Sequence, residues 1–143
     1  MTDVPTSILT QADVAKLLAE PSAKARSELA TKLAVQIDNP HLKDSEIKLA
    51  EDIVRIMAKD AEVVVRQALA ENLRKAARMP HDVAVKLAND IESVALPILE
   101  SSQVLTDDDL AAVIKNGAAS KQEAIAGRAQ VSEKLSETLI STA

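Results

Sequence analysis

Apolar residues recur at spacings of three and four along almost the whole chain, and nowhere do they alternate with period two. That pattern restricts the fold to helices whose apolar stripes must be buried against one another. The breaks between stripes come often. Leu9-Thr10 opens an expected helix to about Ala19, with Val14, Leu17 and Leu18 on one face and Asp13 placed to form a capping box with Thr10. Pro21-Ser22 opens a second, whose Ala25, Leu29, Leu33 and Ile37 form a stripe that Asn39-Pro40 stops. A third, from about Asp44 to Lys59, carries Ile47, Ala50, Ile53, Val54 and Met57. Asp60 starts a fourth, with Val65, Ala68, Leu69, Leu73 and Ala76 on its face, and Met79-Pro80 ends it.

Shorter helices follow, from about Asp82 to Asn89 and from Ser93 to Ser101; Pro97 in the latter fits only a first turn or a kink. Leu105-Thr106 opens a seventh with Asp109 in the box position, and Asn116-Gly117 stops it. Ala118 to Gly127 and Ser132 to Ser141 supply the last two. About nine short helices with tight connections cannot each bury a face alone, so the expected fold is all-α with extensive helix packing.

Composition narrows the function. At 143 residues the chain has the length of one domain or a short repeat array, and folding buries about two-thirds of its surface. It contains no Cys, which excludes a disulfide framework, a thiolate nucleophile and Cys-ligated metal. It contains no Phe, Trp or Tyr, which removes stacking platforms for unpaired bases and aromatic cages for cations. With only two Gly, neither a Gly-rich phosphate loop nor a turn-rich β protein is expected.

The net charge is −5, and the deficit concentrates between Met79 and Ile114, where Lys86 faces Asp82, Asp90, Glu92, Glu100, Asp107, Asp108 and Asp109. No basic face for nucleic acid is expected beyond the cluster Arg74, Lys75 and Arg78. No apolar run approaches the roughly 20 residues that span a bilayer. Residues 1–10 lack the basic start and apolar core of a signal peptide. A cytoplasmic location is therefore expected.

Internal repeats decide between a closed bundle and an array. Glu20, Ala25, Arg26, Leu29 and Ala30 recur at an offset of 40 as Asp60, Val65, Arg66, Leu69 and Ala70. Asp90, Ala95 and Leu99 continue the frame without the Arg, and Asn116, Gln122, Ile125 and Ala126 form a degenerate fourth copy. A competing match sets Lys48, Leu49, Ala50, Asp52 and Ile53 against Lys86, Leu87, Ala88, Asp90 and Ile91 at an offset of 38, which leaves two registers open near Asp90.

The run of an acid, an apolar residue five positions on and then Arg (Asp60, Val65, Arg66) resembles the HEAT-type repeat. Leu9-Thr10 with Asp13-Val14, the segment from Asp60 to Ala70, Pro80-His81-Asp82-Val83-Ala84, Val94 to Glu100, and Leu105-Thr106-Asp107 together resemble a bacterial family of unknown function. That family has HEAT-like repeats and is common in alphaproteobacteria, and the resemblance covers residues 8–142. It implies an α-solenoid of HEAT-like helix pairs, with residues 1–143 as a single repeat domain. Members of that family often run well beyond this length, so the chain is compatible with an N-terminal portion of a longer protein. The resemblance supplies no catalytic residue, and it implies a bacterial setting.

Arg26 and Arg66 have the chemistry to grip a carboxylate or phosphate bidentately. The plainer reading is a structural ladder onto Glu20, Asp60 or Asp90, because the acids recur in step with the arginines. His41 and His81 both follow Pro, but a metal wants at least three convergent ligands, so no metal is expected. Asp107, Asp108 and Asp109 sit where exposed helix N–H groups favour negative charge. Arg74, Lys75 and Arg78 sit near a helix C-terminus, where cations are favoured. No Ser or Thr hydroxyl has a base at recognisable spacing, and Met57 and Met79 read as core fillers.

The expected function is therefore non-catalytic: a protein–protein interaction scaffold or adaptor, without cofactor, nucleic acid or membrane. The expected contact residues are Arg66, Arg74 and Arg78 on one patch and Glu92, Asp107 and Asp108 on another. The alternative is binding or sensing of a small anionic ligand through the repeat arginines, Arg26 and Arg66. The sequence identifies neither the partner nor the oligomeric state.

Overall fold

The computed structural model describes residues 22–128 and 130–142, together with Ala12 and Ala19. The described residues form eight helices and no strand. These are α1 (Ala23–Ile37), α2 (Asp44–Met57), α3 (Val63–Leu73), α4 (His81–Ala88), α5 (Glu92–Ser101), α6 (Asp107–Asn116), α7 (Ala119–Ala126) and α8 (Glu133–Thr142). The helix expected between Leu9 and Ala19, with its Thr10 cap and Asp13 box, lies outside the described residues except for Ala12 and Ala19, which are both helical. Glu20 also lies outside them.

The odd-numbered helices pack in a row, α1 against α3, α3 against α5 and α5 against α7. The even-numbered helices lie beside them: α2 touches α1 and α3, α4 touches α5, and α6 and α8 touch each other and α7. One apolar cluster runs through these contacts from Ala30 to Leu135. Its innermost side chains are small or aliphatic. Ala50, Ala70 and Ala95 are fully buried beside Leu69, Leu73, Ile98 and Leu99. With no aromatic ring to accommodate, Ala at the crossings lets the helix axes approach closely.

Most of the expected core positions are buried, including Leu33, Ile37, Ala50, Ile53, Val54, Met57, Val65, Leu69, Leu73, Ala76 and Met79. Ala25, Leu29, Ile47 and Ala68 are only half-buried. A stripe drawn at strict intervals of four drifts around a helix of 3.6 residues per turn, and α1 accordingly buries Ala30 and Ala34 instead.

Helix starts follow local chemistry. Ser22 Oγ accepts from the Ala25 N–H at 3.3 Å. Thr106 and Asp109 form the expected box, with Thr106 Oγ1 accepting from the Asp109 N–H and Asp109 Oδ2 accepting from the Thr106 N–H. Glu46 closes half of such a box at α2 by accepting from the Lys43 N–H at 2.9 Å.

Two expectations need correction, the start and the end of the fourth helix. The fourth expected helix does not start at Asp60 or run to Met79; it covers only Val63–Leu73. Asp60 stands before it as a turn residue, its Oδ1 accepting from the Glu62 N–H. Beyond Leu73 the backbone is captured by a competing acceptor. The Asp38 carboxylate takes the Ala77 N–H at 3.0 Å and the Arg78 N–H at 2.9 Å, which holds this turn against the end of α1. Pro97 lies in the second turn of α5 rather than the first. Its missing N–H leaves the carbonyl of Ser93 without a helical partner, and Ser93 is exposed to water.

The structure also selects between the two repeat registers. Lys48 and Asp52 pair with each other inside α2, whereas Asp90 lies in the turn before α5 as Asp60 does before α3. Ile53, Val54, Met57 and Ala58 are buried in the same rhythm as Val83, Ala84, Leu87 and Ala88. The offset of 38 is therefore a coincidence of composition, and Asp60 corresponds to Asp90.

Gly117 ends α6 with extended backbone (φ −95°, ψ 166°), so it is not a left-handed cap. Its role is spatial: a Cβ there would lie 2.5 Å from the backbone oxygen of Val113. Gly117→Ala should therefore destabilise the protein by about 1–3 kcal/mol, as overpacking does. Gly127→Ala, whose Cβ would meet its nearest atom at 3.5 Å, should be close to neutral. Urea denaturation of the two variants measures the contrast.

Candidate functional site

Arg26 and Arg66 occupy the same place in successive odd helices, and each reaches to the turn before the next odd helix. Arg26 grips Asp60 with Nε to Oδ2 at 2.7 Å and Nη2 to Oδ1 at 3.2 Å. Arg66 grips Asp90 with the same atoms at the same distances. Arg66 Nη1 also donates to the carbonyl of Asp60 at 2.6 Å, joining the two rungs. Each carboxylate in turn holds backbone, Asp60 the Glu62 N–H and Asp90 the Ile91 N–H. The arginines thus form the structural ladder, and their forks are already on carboxylates.

Burial on its own would push the Asp60 carboxyl up, but hydrogen bonds from Arg26 and the Glu62 N–H, with the positive charges nearby, hold it below its ordinary value. Asp90 is held low in the same way by Arg66 and the Ile91 N–H. Asp109 is also low: burial is outweighed by hydrogen bonds from the Thr106 N–H and His81.

A second set of cross-links joins the even helices, and the sequence reading missed it. Arg55 pairs with Asp82 at 2.9 Å, His81 Nε2 lies 2.6 Å from Asp109, and Lys134 lies 3.1 Å from Asp108. Their separations of 27, 28 and 26 residues are nearly equal. That spacing is the sequence signal from which they were recoverable. His41 is exposed, with its backbone N–H on Asn39. Among the described residues no three His, Asp or Glu side chains converge as a metal site requires, and no helix is long and apolar enough to cross a membrane.

The expected basic patch is dispersed. Arg66 lies in the ladder with its side chain 16% exposed. Arg74 stands two helical turns further on, about 12 Å along the axis, and donates to Ser101 Oγ at 2.9 Å. Arg78 turns the opposite way and donates to the carbonyl of Asn39. On the expected acidic patch, Glu92, Asp107 and Asp108 are exposed in the first turns of α5 and α6. Glu92 therefore lies at the start of α5 and the two Asp at the start of α6, which follows the other end of α5.

Two hollows flank these elements. A cleft of about 420 Å³ lies over the ladder and is lined by Lys59, Arg66, Lys86 and Asn89 with Asp60 and Asp90. A second hollow of about 300 Å³ opens between the α5–α6 and α7–α8 turns and includes Asp107 and Arg128. At the α5–α6 turn, Arg128 donates through Nη1 to the carbonyl of Leu99 and through Nη2 to that of Ser102. Arg128 is a second residue that the sequence reading did not single out.

Residues 94–143 match the model of a family described as an uncharacterised protein conserved in bacteria (DUF2336). This part of the chain is accordingly similar to a bacterial domain of unknown function. No curated protein and no solved structure matches the chain. The matched region begins inside α5 and includes α6, α7 and α8, so it contains the whole second hollow but neither ladder arginine.

The lowered carboxyls fix the sign of the pH dependence. A group whose folded pKa lies below its unfolded value stabilises fully above the unfolded value, near 4, and loses that contribution as pH falls through the folded value. The melting temperature should therefore hold from neutrality down to about pH 4 and fall steeply below it. A melting temperature unchanged to about pH 2 would contradict the ladder's role. Arg66→Met strands the Asp90 carboxylate and should cost about 3 kcal/mol. Adding Asp90→Asn, which removes the stranded charge but keeps an acceptor for Ile91, should recover part of that loss in the same denaturation assay.

Proposed function

We propose that the chain is an α-solenoid of HEAT-like helix pairs that serves as a non-catalytic protein-binding scaffold or adaptor in the bacterial cytoplasm. The observation that carries this reading is the row formed by α1, α3, α5 and α7, each packed on the next. Helices stacked in such a row present their outward faces as one extended surface, which is how solenoids bind other proteins. Thr31 and Asn72 tie α1 to α3 by a side-chain hydrogen bond of 3.3 Å between exposed residues. The resemblance of residues 8–142 to a bacterial family with HEAT-like repeats supports the same architecture, and the match to a bacterial domain of unknown function falls on residues 94–143 alone.

Charge placement supports a binding rather than a catalytic role. The forks of Arg26 and Arg66 grip carboxylates in the ladder, which disfavours anion sensing through these arginines. Glu92, Asp107 and Asp108 keep exposed carboxylates in the first turns of α5 and α6. An acidic rim of this kind steers a partner with a basic surface and sets its register.

The test is affinity capture from a native-host lysate by the wild type and by a Glu92→Lys/Asp108→Lys double variant. Both positions are exposed and Asp108 has only a surface ion pair with Lys134, so the loss of two favourable helix-start charges should cost no more than about 2 kcal/mol. The expected result is a protein retained by the wild type and lost by the variant. Equal retention by both, or capture of nothing by the folded wild type, overturns the proposal.

A further inference from the structure

Arg128 differs from the ladder arginines in one respect. It is half-buried, yet among the described residues it has no carboxylate partner. Its two recorded bonds go to the carbonyls of Leu99 and Ser102, which leaves three of the five guanidinium N–H groups uncommitted. It lines the hollow of about 300 Å³ between the α5–α6 and α7–α8 turns. Asp107, exposed in the first turn of α6, lines the same hollow without forming an ion pair to Arg128. Burial pushes the Arg128 guanidinium's pKa down, and the Asp107 charge opposes that shift, so the two groups sense each other across the gap.

The rest of the lining suits a ligand as well. Gln103 and Gln130 face the hollow, and neither side-chain amide has a hydrogen-bond partner among the described residues. Leu105 and Leu110, both buried, and Val131 give it an apolar side. The lining is mostly polar with a smaller apolar part, and a concavity with several convergent polar groups at this volume is at the lower end of the usual range for a small-molecule site.

We infer that this hollow binds a free aliphatic α-amino acid, with its carboxylate on Arg128, its ammonium on Asp107 and its side chain against Leu105, Leu110 and Val131. A zwitterion is the ligand class that satisfies a cation and an anion held apart in one cavity. A simple anion would be repelled by Asp107, and a simple cation by Arg128. An aliphatic side chain matches the apolar wall. The amides of Gln103 and Gln130 are placed to orient the ligand, since each offers both donors and an acceptor. The inference rests on the lining of the hollow and not on the row of odd helices that carries the scaffold reading, although Asp107 belongs to both the acidic rim and this site.

The experiment is a calorimetric titration of the full chain with leucine, with 4-methylpentanoate, which lacks only the ammonium, and with 3-methylbutylamine, which lacks only the carboxylate. Leucine should bind at least about tenfold more tightly than either, because each forgoes a charge-assisted contact. Asp107→Asn tests the anion without endangering the fold, since this exposed carboxylate makes no hydrogen bond or ion pair with other described residues. It should lower the melting temperature of the free protein only slightly, through the loss of one charge at a helix start, and weaken leucine about tenfold, to the level of 4-methylpentanoate. No leucine binding at millimolar concentration, equal binding of leucine and 4-methylpentanoate to the wild type, or unchanged leucine affinity in Asp107→Asn overturns the assignment. Loss of scaffold capture would leave all of these readouts untouched.

Discussion

The carboxylates of Asp60 and Asp90 are the points on which the packing order depends. Each accepts a backbone N–H of its own turn and a two-pronged guanidinium from the preceding odd helix. The apolar cluster supplies most of the burial, but contacts among Ala, Leu and Val are non-directional and tolerate sliding. A fork of two hydrogen bonds between Arg66 and Asp90 does not slide. It requires the turn before α5 to lie beside the body of α3. The additional bond from Arg66 to the Asp60 carbonyl carries the same constraint back one step, so α1, α3 and α5 are placed in sequence by linked polar contacts laid over an apolar core. Pairs this buried are poor sources of net stability against a well-packed apolar replacement; here their geometry argues for a role in register.

Much of this was legible because it is periodic. The helices between Ser22 and Ser141, the Thr106–Asp109 box and the pairing of acids with arginines follow from spacing, and spacing is what a sequence displays. The misplacements came from interactions that periodicity does not contain. Residues 74–79 continue the apolar pattern of α3, but Asp38, nearly 40 residues away, offers Ala77 and Arg78 a better-placed acceptor than the helix does. The basic cluster Arg74, Lys75 and Arg78 is compact in sequence and dispersed in space for the same reason, since Arg78 follows its turn towards α1 while Arg74 follows α3 towards α5.

The even-helix cross-links were within reach of the sequence and were missed, because the residues on their two ends differ in kind. Arg55–Asp82, His81–Asp109 and Lys134–Asp108 use three different cations, so no residue identity repeats. Only the distance between partners does. The packing of successive even helices fixes the separation of the groups that bridge them and leaves their identity open.

The same reasoning explains why the C-terminal half departs from the ladder. After Asp90 no Arg occupies the frame, and the two cations at α7 reach carbonyls instead: Lys121 donates to the carbonyls of Ala88 and Asp90, and Arg128 to those of Leu99 and Ser102. Carbonyls at the end of a helix carry the negative end of its dipole. They stabilise a cation in place, which accounts for a half-buried Arg128 without a carboxylate partner. They do so with partial charges, and they leave N–H groups of the fork uncommitted. In the ladder each guanidinium meets a full negative charge from within the chain. At Arg128 the carboxylate whose charge acts on the guanidinium, Asp107, lines the same hollow without forming an ion pair, so the two opposite charges face one cavity with neither neutralised by the other.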